Sequence, residues 1–388
     1  MMIPLAVPNL TGREKEYLDR CIDTTYVSSV GEYVTRLEEM AGRACGAEYA
    51  VATSAGTTGL HAALMAVGVK AGELVMVPTF TFIASANAVA HCGAKPWLMD
   101  ISPDNWCLSI DAARTALEEE CEVHAGKVFH KMTGRRVAAV MPVYTLGNIP
   151  DMEAFRELAD KYRLPLVADA ACAVGASYQS KPLGALADVS VLSFNGNKTI
   201  TCGGGGMVIG NDKELLKYIR HITTTARIGS EYNFDTIGYN YRMTNLQAAV
   251  GCAQMERLEE FVSAKRRIRA YYAERLTECV DSIGISFFPA TEESSCWFSG
   301  IVLPQGSSVK DVRRIADSLK ERGIESRTFW KPVHMQEPYG NAPCESVRIA
   351  ESLWERIITL PCSTGIREEE LEFVVKNIKE LLRGFIDR

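Results

Sequence analysis

Between residues 48 and 210 the chain repeats one alternation of pattern. Short runs that are apolar throughout are each followed by a stretch with helical periodicity. "YAVAT" precedes "GTTGLHAALMAVGV", "LVMVPT" precedes "FIASANAVAHCG", "AKPWLMD" precedes "SIDAARTALEEE", and "RVAAVMPV" precedes "DMEAFRELADKY". Then come "LPLVAD", "DVSVLSF" and "GGMVIG". Strands without a polar face need cover on both sides, so the pattern predicts an α/β domain with a mostly parallel sheet covered by helices. After Thr244 the pattern changes. "LQAAVGCAQMERLEEFVSAKRRIRAYYAERL" holds one glycine and no proline, and predicts one long helix from Thr244 to about Val280. Beyond it, "WFSGIVL", "SSVKDVRRIADSLKERG", "IESRT", "ESLWERIITLP" and "REEELEFVVKNIKELLRG" predict a smaller α+β domain. The division expected is a large domain over 1–250, including N-terminal helices, and a small C-terminal domain over 251–388, joined through the long helix.

The length of 388 residues suits two domains, and 47% hydrophobic with 23% charged residues suits packed cores. The net charge of −6 offers no general attraction for nucleic acid or an anionic membrane, so an anion must be bound locally. No apolar run is long enough to span a bilayer. Twelve cysteines are scattered without a CxxC, and "MMIPLAVPNLTG" lacks the pattern of a secretory signal, so the expectation is a cytoplasmic protein with reduced thiols. Cys121 and His124 have half-site spacing, but no second pair accompanies them, and no metal is expected. Lys265, Arg266, Arg267 and Arg269 read as a solvated helix face.

The chemistry centres on "VLSFNGNKTITCGGGGMVIG", where Lys198 precedes a run of four glycines. It is not a P-loop, because Asn197 stands where GxxxxGK[ST] needs glycine, and no GxGxxG follows a strand. Asp169 closes the apolar strand of "LPLVADAA", at the end of a parallel strand where ligand-facing residues collect. It is equally suited to capping the next helix. "VSVLSF" then brings Ser193 and Lys198 toward the same crevice. An amine, a carboxylate and a hydroxyl together answer the needs of pyridoxal phosphate: a Schiff-base partner, an anion beside the ring nitrogen, and phosphate donors. "ATSAGTTGLHAAL" places the amides of Gly56, Thr57 and Thr58 at a helix N-terminus, a phosphate cradle that is compatible with capping by Ser54 or Thr57. "PTFTFIASAN" offers Phe80 and Phe82, either for stacking on a ring or for the core.

These stretches, with "TTYVSSVGEYVTRLEEMAG", "GYNYRMTNLQAAV", "SRTFWKPVHMQEPY" and "LPCSTGIREEELEFVV", resemble over nearly the whole chain the fold-type-I pyridoxal phosphate enzymes. Within them the chain is similar to the DegT-type nucleotide-sugar aminotransferases. The resemblance implies Lys198 as the Schiff-base lysine, Asp169 beside the ring nitrogen, and Phe82 as the stacking ring. It implies Thr57, Thr58 and Ser193 as phosphate ligands, with Gly56, Cys172 and Asn195 also beside the cofactor. Cys172 stands where relatives commonly carry Gln or His. Asn240 is implied to reach the phosphate of a neighbouring chain, making a homodimer with shared active sites. Ser28, Arg327, Lys331 and His334 are implied to meet the substrate, although the last three also read as exposed loop residues. The implied reaction takes an amino group from glutamate to a keto group of a nucleotide-linked sugar. "IPLAVPNLTG", "SFNGNK" and "WKPVHMQ" look closest to enzymes that aminate C4 of UDP-2-acetamido-2,6-dideoxy-hexos-4-ulose on routes to bacillosamine-like and legionaminic-acid-like glycans. The alternatives are a sugar 3-aminotransferase on a dTDP- or GDP-linked sugar, and a non-catalytic regulatory protein that binds the cofactor.

Overall fold

The computed structural model describes residues 2–386. Its centre is a twisted sheet in the order Tyr49–Thr53, Gly206–Gly210, Val189–Ser193, Val167–Asp169, Arg136–Val140, Leu74–Pro78, Lys95–Met99. Parallel bridges between Val140 and Leu166, and between Val143 and Asp169, join its two halves. Among these seven strands Gly206–Gly210 alone runs against its neighbours, and the other adjacent pairs are parallel. The six like-directed strands therefore end at one edge, which is where Thr53, Asp169 and Ser193 stand.

Burial of these strands on both faces explains their uninterrupted apolar runs. Helices Glu32–Cys45 and Met152–Tyr162 contribute to the core on one face, and Gly56–Ala66 with Lys213–Thr223 to the core on the other. Local chemistry sets the helix ends. Asp151 accepts from Ala154 N at 3.1 Å, and Arg163, in the left-handed conformation at φ 53°, closes the Met152–Tyr162 helix. Thr244 and Gln247 form a reciprocal capping box that starts Asn245–Met255.

The single helix expected from Thr244 to Val280 is instead three: Asn245–Met255, Leu258–Arg275 and Thr277–Ile283. Tertiary contacts decide the first break. Glu256 takes hydrogen bonds from Tyr17 Oη and Arg36 Nη2, both at 2.6 Å, while Arg257 turns to Asn9, Thr11 and Glu260. Phe261 and Val262 belong to the core around the sheet, whereas Ile268 and Tyr272 belong to a second core with the Ser286–Phe287, Ser299–Val302 and Ile357–Leu360 sheet. Ile3 and Leu5 pack into that second core too.

Of the cationic run on this helix Arg267 is exposed as expected, but the other three are not a solvated face. Lys265 is buried and donates to Cys362 O at 2.6 Å, Arg266 donates to Ser294 O at 2.9 Å, and Arg269 to Phe288 O at 3.0 Å. Long side chains at helical spacing look solvated in sequence, yet these serve loop carbonyls that no strand partner satisfies. Cys121 and His124 lie on a hairpin of Cys121–His124 with Lys127–His130. Among the described residues no cluster of three His, Cys, Asp or Glu side chains could hold a metal, and no helix is long and apolar enough to cross a membrane. All twelve cysteines are free thiols.

Candidate active site

A cavity of about 440 Å³ opens at the sheet edge where the parallel strands end. It is bordered by Gly56, Thr57, Phe82, Asp169, Cys172, Ser193, Asn195, Lys198 and Arg327, so nine of the residues singled out from sequence share it. A larger open groove of about 700 Å³ follows the outer edge of Tyr49–Thr53. Its strand edge is already occupied, because Ala52 N donates to Glu38 Oε1 and Arg220 Nη2 donates to Ala50 O. The residues that carry candidate chemistry border the smaller cavity.

Lys198 sits on the tight turn after Val189–Ser193, where its own N–H donates to Asn195 O at 3.0 Å. The side-chain nitrogen donates to Cys172 Sγ at 3.2 Å and lies 3.9 Å from the centre of the Trp297 ring. Burial pushes the Cys172 thiol up, with Lys198 pulling against it, so Cys172 remains a thiol at neutral pH.

Asp169 is buried at the end of its strand. Oδ2 accepts from Ser85 Oγ at 2.6 Å and Oδ1 from Ala171 N at 3.1 Å; Thr81 supports Ser85 at 2.9 Å. Burial nevertheless raises the Asp169 pKa, against the lowering effects of Ser85, Ala171 and the nearby Lys198 charge. A desolvated carboxyl of this kind is under-compensated, and a protonated ring nitrogen would supply the missing cation.

Helix Gly56–Ala66 points its first turn at the cavity, where its leading N–H groups have no carbonyl four residues back. A Cβ on Gly56 would lie 3.0 Å from Ser193 Cβ, so the glycine lets this turn reach the strand end. The glycine run after Lys198 serves the same packing. Gly205 takes φ +112°, and a Cβ on Gly206 would come within 2.7 Å of Ala55 backbone atoms. The run seats the returning strand on the turn that begins the Gly56–Ala66 helix, and of its glycines Gly204 and Gly205 border the cavity.

Phe82 lies at the cavity with 58% of its surface free, whereas Phe80 is core, packed on Trp106 and Trp330. Thr58 does not border the cavity; its hydroxyl bonds back to Ala55 N at 3.1 Å and Ser54 Oγ at 3.2 Å, taking the capping role considered for its neighbours. His334 is also outside, held by Thr79 Oγ1 at 2.7 Å and Glu351 at 3.1 Å. Lys331, Ser28 and Asn240 are exposed and do not line it; Asn240 Oδ1 accepts from Arg242 at 3.0 Å. Arg327 lines it while paired with Glu325 at 2.8 Å. Sequence reading missed Ser85 and the aromatic wall of Trp297, Phe298, Phe329 and Trp330. "CWF" and "TFW" were the only hints of that wall, and apolar aromatics in sequence read first as core.

The donor set fits a flat aldehyde-bearing heteroaromatic phosphate: an amine, a buried carboxyl for a ring nitrogen, and free N–H groups for the phosphate. That set, on a sheet of this order, defines a fold-type-I pyridoxal phosphate enzyme. The chain belongs to the DegT/DnrJ/EryC1/StrS aminotransferase family, whose model matches residues 8–379. A GDP-perosamine synthase of Caulobacter vibrioides is 36% identical over 381 residues, covering 98% of each chain. Another from Escherichia coli O157:H7 is 35% identical over 385 residues, covering 97% of this chain and 98% of its own. A crystal structure of a DegT DnrJ EryC1 StrS aminotransferase from Brucella abortus matches with TM-score 0.85 and 26% identity, covering 96% of this chain and 95% of its own. The protein is therefore an aminotransferase dependent on pyridoxal phosphate.

Proposed function

We propose that the protein moves an amino group from glutamate to C4 of a nucleoside-diphosphate-linked 4-keto-6-deoxy sugar, as a cytoplasmic homodimer whose active sites are shared. The observation that carries this reading is the convergence of Lys198, Asp169 and the Gly56–Ala66 N-terminus on one cavity. The sequence motifs favoured UDP-2-acetamido-2,6-dideoxy-hexos-4-ulose as acceptor. The two full-length relatives at 35% and 36% identity carry GDP in their names, and we favour a GDP-linked sugar on that ground.

In this reading Lys198 would bond the cofactor, Asp169 would balance its ring nitrogen, Gly56, Thr57 and Ser193 would hold its phosphate, and Phe82 would pack on its ring. Pyridoxal phosphate, when bound, supplies a ring that stabilises negative charge on a carbon next to nitrogen. With pyridoxal phosphate bound, Lys198 Nζ would serve as the base that takes the proton lost from the donor's α carbon and, over the full cycle, as the acid that supplies the proton gained by the sugar carbon bearing the new nitrogen. The aromatic wall keeps water from that carbon. Arg327 receives an anionic group of donor or acceptor in exchange for Glu325, and Asn240 reaches the phosphate of the second subunit's site.

The test is optical. Purified protein should be yellow, bleach with glutamate, and recolour with a keto sugar nucleotide; GDP- and UDP-linked acceptors compared side by side decide the base. NMR of the product distinguishes a C4 from a C3 amine. Yellow protein that bleaches with no amino donor would favour the regulatory, non-catalytic alternative.

A further inference from the structure

We infer that Trp297 is a positioning residue that holds the Lys198 amine ready for covalent capture of the cofactor. It meets the lysine turn in two ways. Its indole N–H donates to Asn197 O at 2.7 Å, fixing the peptide that precedes Lys198, and its ring face lies 3.9 Å from the lysine nitrogen, at cation–π distance.

Trp297 comes from the second core rather than from the lysine's own loop. The segment that carries it is fastened to the other side of the lysine as well. Trp297 N donates to Leu146 O at 3.0 Å, Ser295 N to Gly147 O at 3.4 Å, and Ser295 Oγ to Cys172 O at 2.8 Å. Cys172 is the residue whose sulfur accepts from Lys198 at 3.2 Å. Ser295 and Trp297 thus tie down both neighbours of the amine, sulfur on one side and indole on the other. Gly147 makes this possible: it takes φ +90°, and a Cβ there would sit 1.9 Å from Ser295 Oγ.

A lysine carries its amine on a long flexible stem, and fixing that stem before reaction removes an ordering cost from the bond-forming step. Trp330, stacked on Trp297 at 6.1 Å and 28°, backs the indole and itself borders the cavity. Ordinary core packing explains a buried tryptophan. It does not explain an indole whose N–H and ring face both meet the lysine turn.

The inference rests on Lys198 being the cofactor-bearing residue, and the experiment separates the two claims. Cofactor-free protein is mixed with pyridoxal phosphate, capture is followed by the growth of the visible band, and the bond is fixed by borohydride for peptide mass mapping. W297L should capture about tenfold more slowly or worse, in line with the rate cost of misplacing a reacting group. Its affinity for pyridoxamine phosphate, which has no aldehyde to capture, should stay within about twofold of wild type. W297F keeps a ring face but loses the bond to Asn197 O, and should fall between the two. Capture by W297L at the wild-type rate overturns the inference, as does an equal loss of pyridoxamine phosphate affinity, which would mark a merely structural role. If W297L does not fold, W297F decides on the same readouts, and a wild-type rate overturns the inference. K198A should never be labelled; if it is, the assignment of Lys198 fails whatever Trp297 does.

Discussion

Asp169 and Arg327 border the same cavity, yet one is buried with both carboxylate oxygens bonded, and the other leaves 58% of its side chain in solvent beside Glu325. The floor of the site is built from strand ends and a helix N-terminus, where a core on each face fixes every backbone position. Holding a desolvated carboxyl there is unfavourable for the empty protein and useful only when a cation arrives. The rim is built from loops, and its exposed ion pair is worth about 0 to 1 kcal/mol, so under the proposed role of Arg327 a substrate anion would displace Glu325 at little cost. A transaminase must accept two different substrates in turn at one reacting centre. A fixed floor with an exchangeable rim is suited to that task.

The contrast is broken most severely at Lys198. Lys198→Ala should lower kcat/KM by at least about 10⁴-fold, since among the described residues no other cavity-lining side chain offers an amine. Steady-state rates with glutamate and sugar nucleotide check this. Asp169→Asn comes next, with a loss of about 10² to 10³-fold from removing the counter-charge.

The same substitution should stabilise the cofactor-free protein. Burial raises the Asp169 pKa, so the folded state resists ionising it. The stability that the neutral carboxyl contributes is present below the ordinary carboxylate range and is lost as pH rises through the raised value. Thermal unfolding of the empty proteins should therefore show the Asn variant gaining on wild type as pH rises above the ordinary carboxylate range. A gain that shrinks with rising pH would contradict the account of the floor.

At the rim the effects are smaller. Arg327→Gln should raise KM for glutamate or for the sugar nucleotide about tenfold and leave kcat within about threefold, because it removes binding rather than chemistry. A large loss of kcat would move Arg327 into the floor. His334→Ala sharpens the boundary from outside. Its ring is engaged by Thr79 and Glu351 rather than by the cavity, so stability should fall by about 1 kcal/mol with KM unchanged. A raised KM for the sugar nucleotide would bring His334 back to the substrate.

Floor and rim also differ in how far the chain announces them. Fully apolar strands and the turn "SAGTTG" are local signals; Asp169 and Ser193 stand at strand ends that such signals locate, and Lys198 on the turn that follows one of them. Ser85 was silent, because a serine inside a helix gains its meaning only from an aspartate 84 positions away. Trp297 was silent for the same reason, its partners being Asn197 and Leu146 on distant loops. The resemblance implied Thr58 among the phosphate ligands, and no local signal told that its hydroxyl bonds to Ala55 N and Ser54 Oγ. The break after Met255 was invisible because propensity favours continuity there, and Tyr17 and Arg36 impose the turn from elsewhere.

Borohydride reduction of the purified yellow protein, followed by peptide mass mapping, tests the central claim most directly. The account predicts one modified lysine, in the peptide that contains Lys198. A pyridoxyl group on any other lysine, or on none, would contradict it.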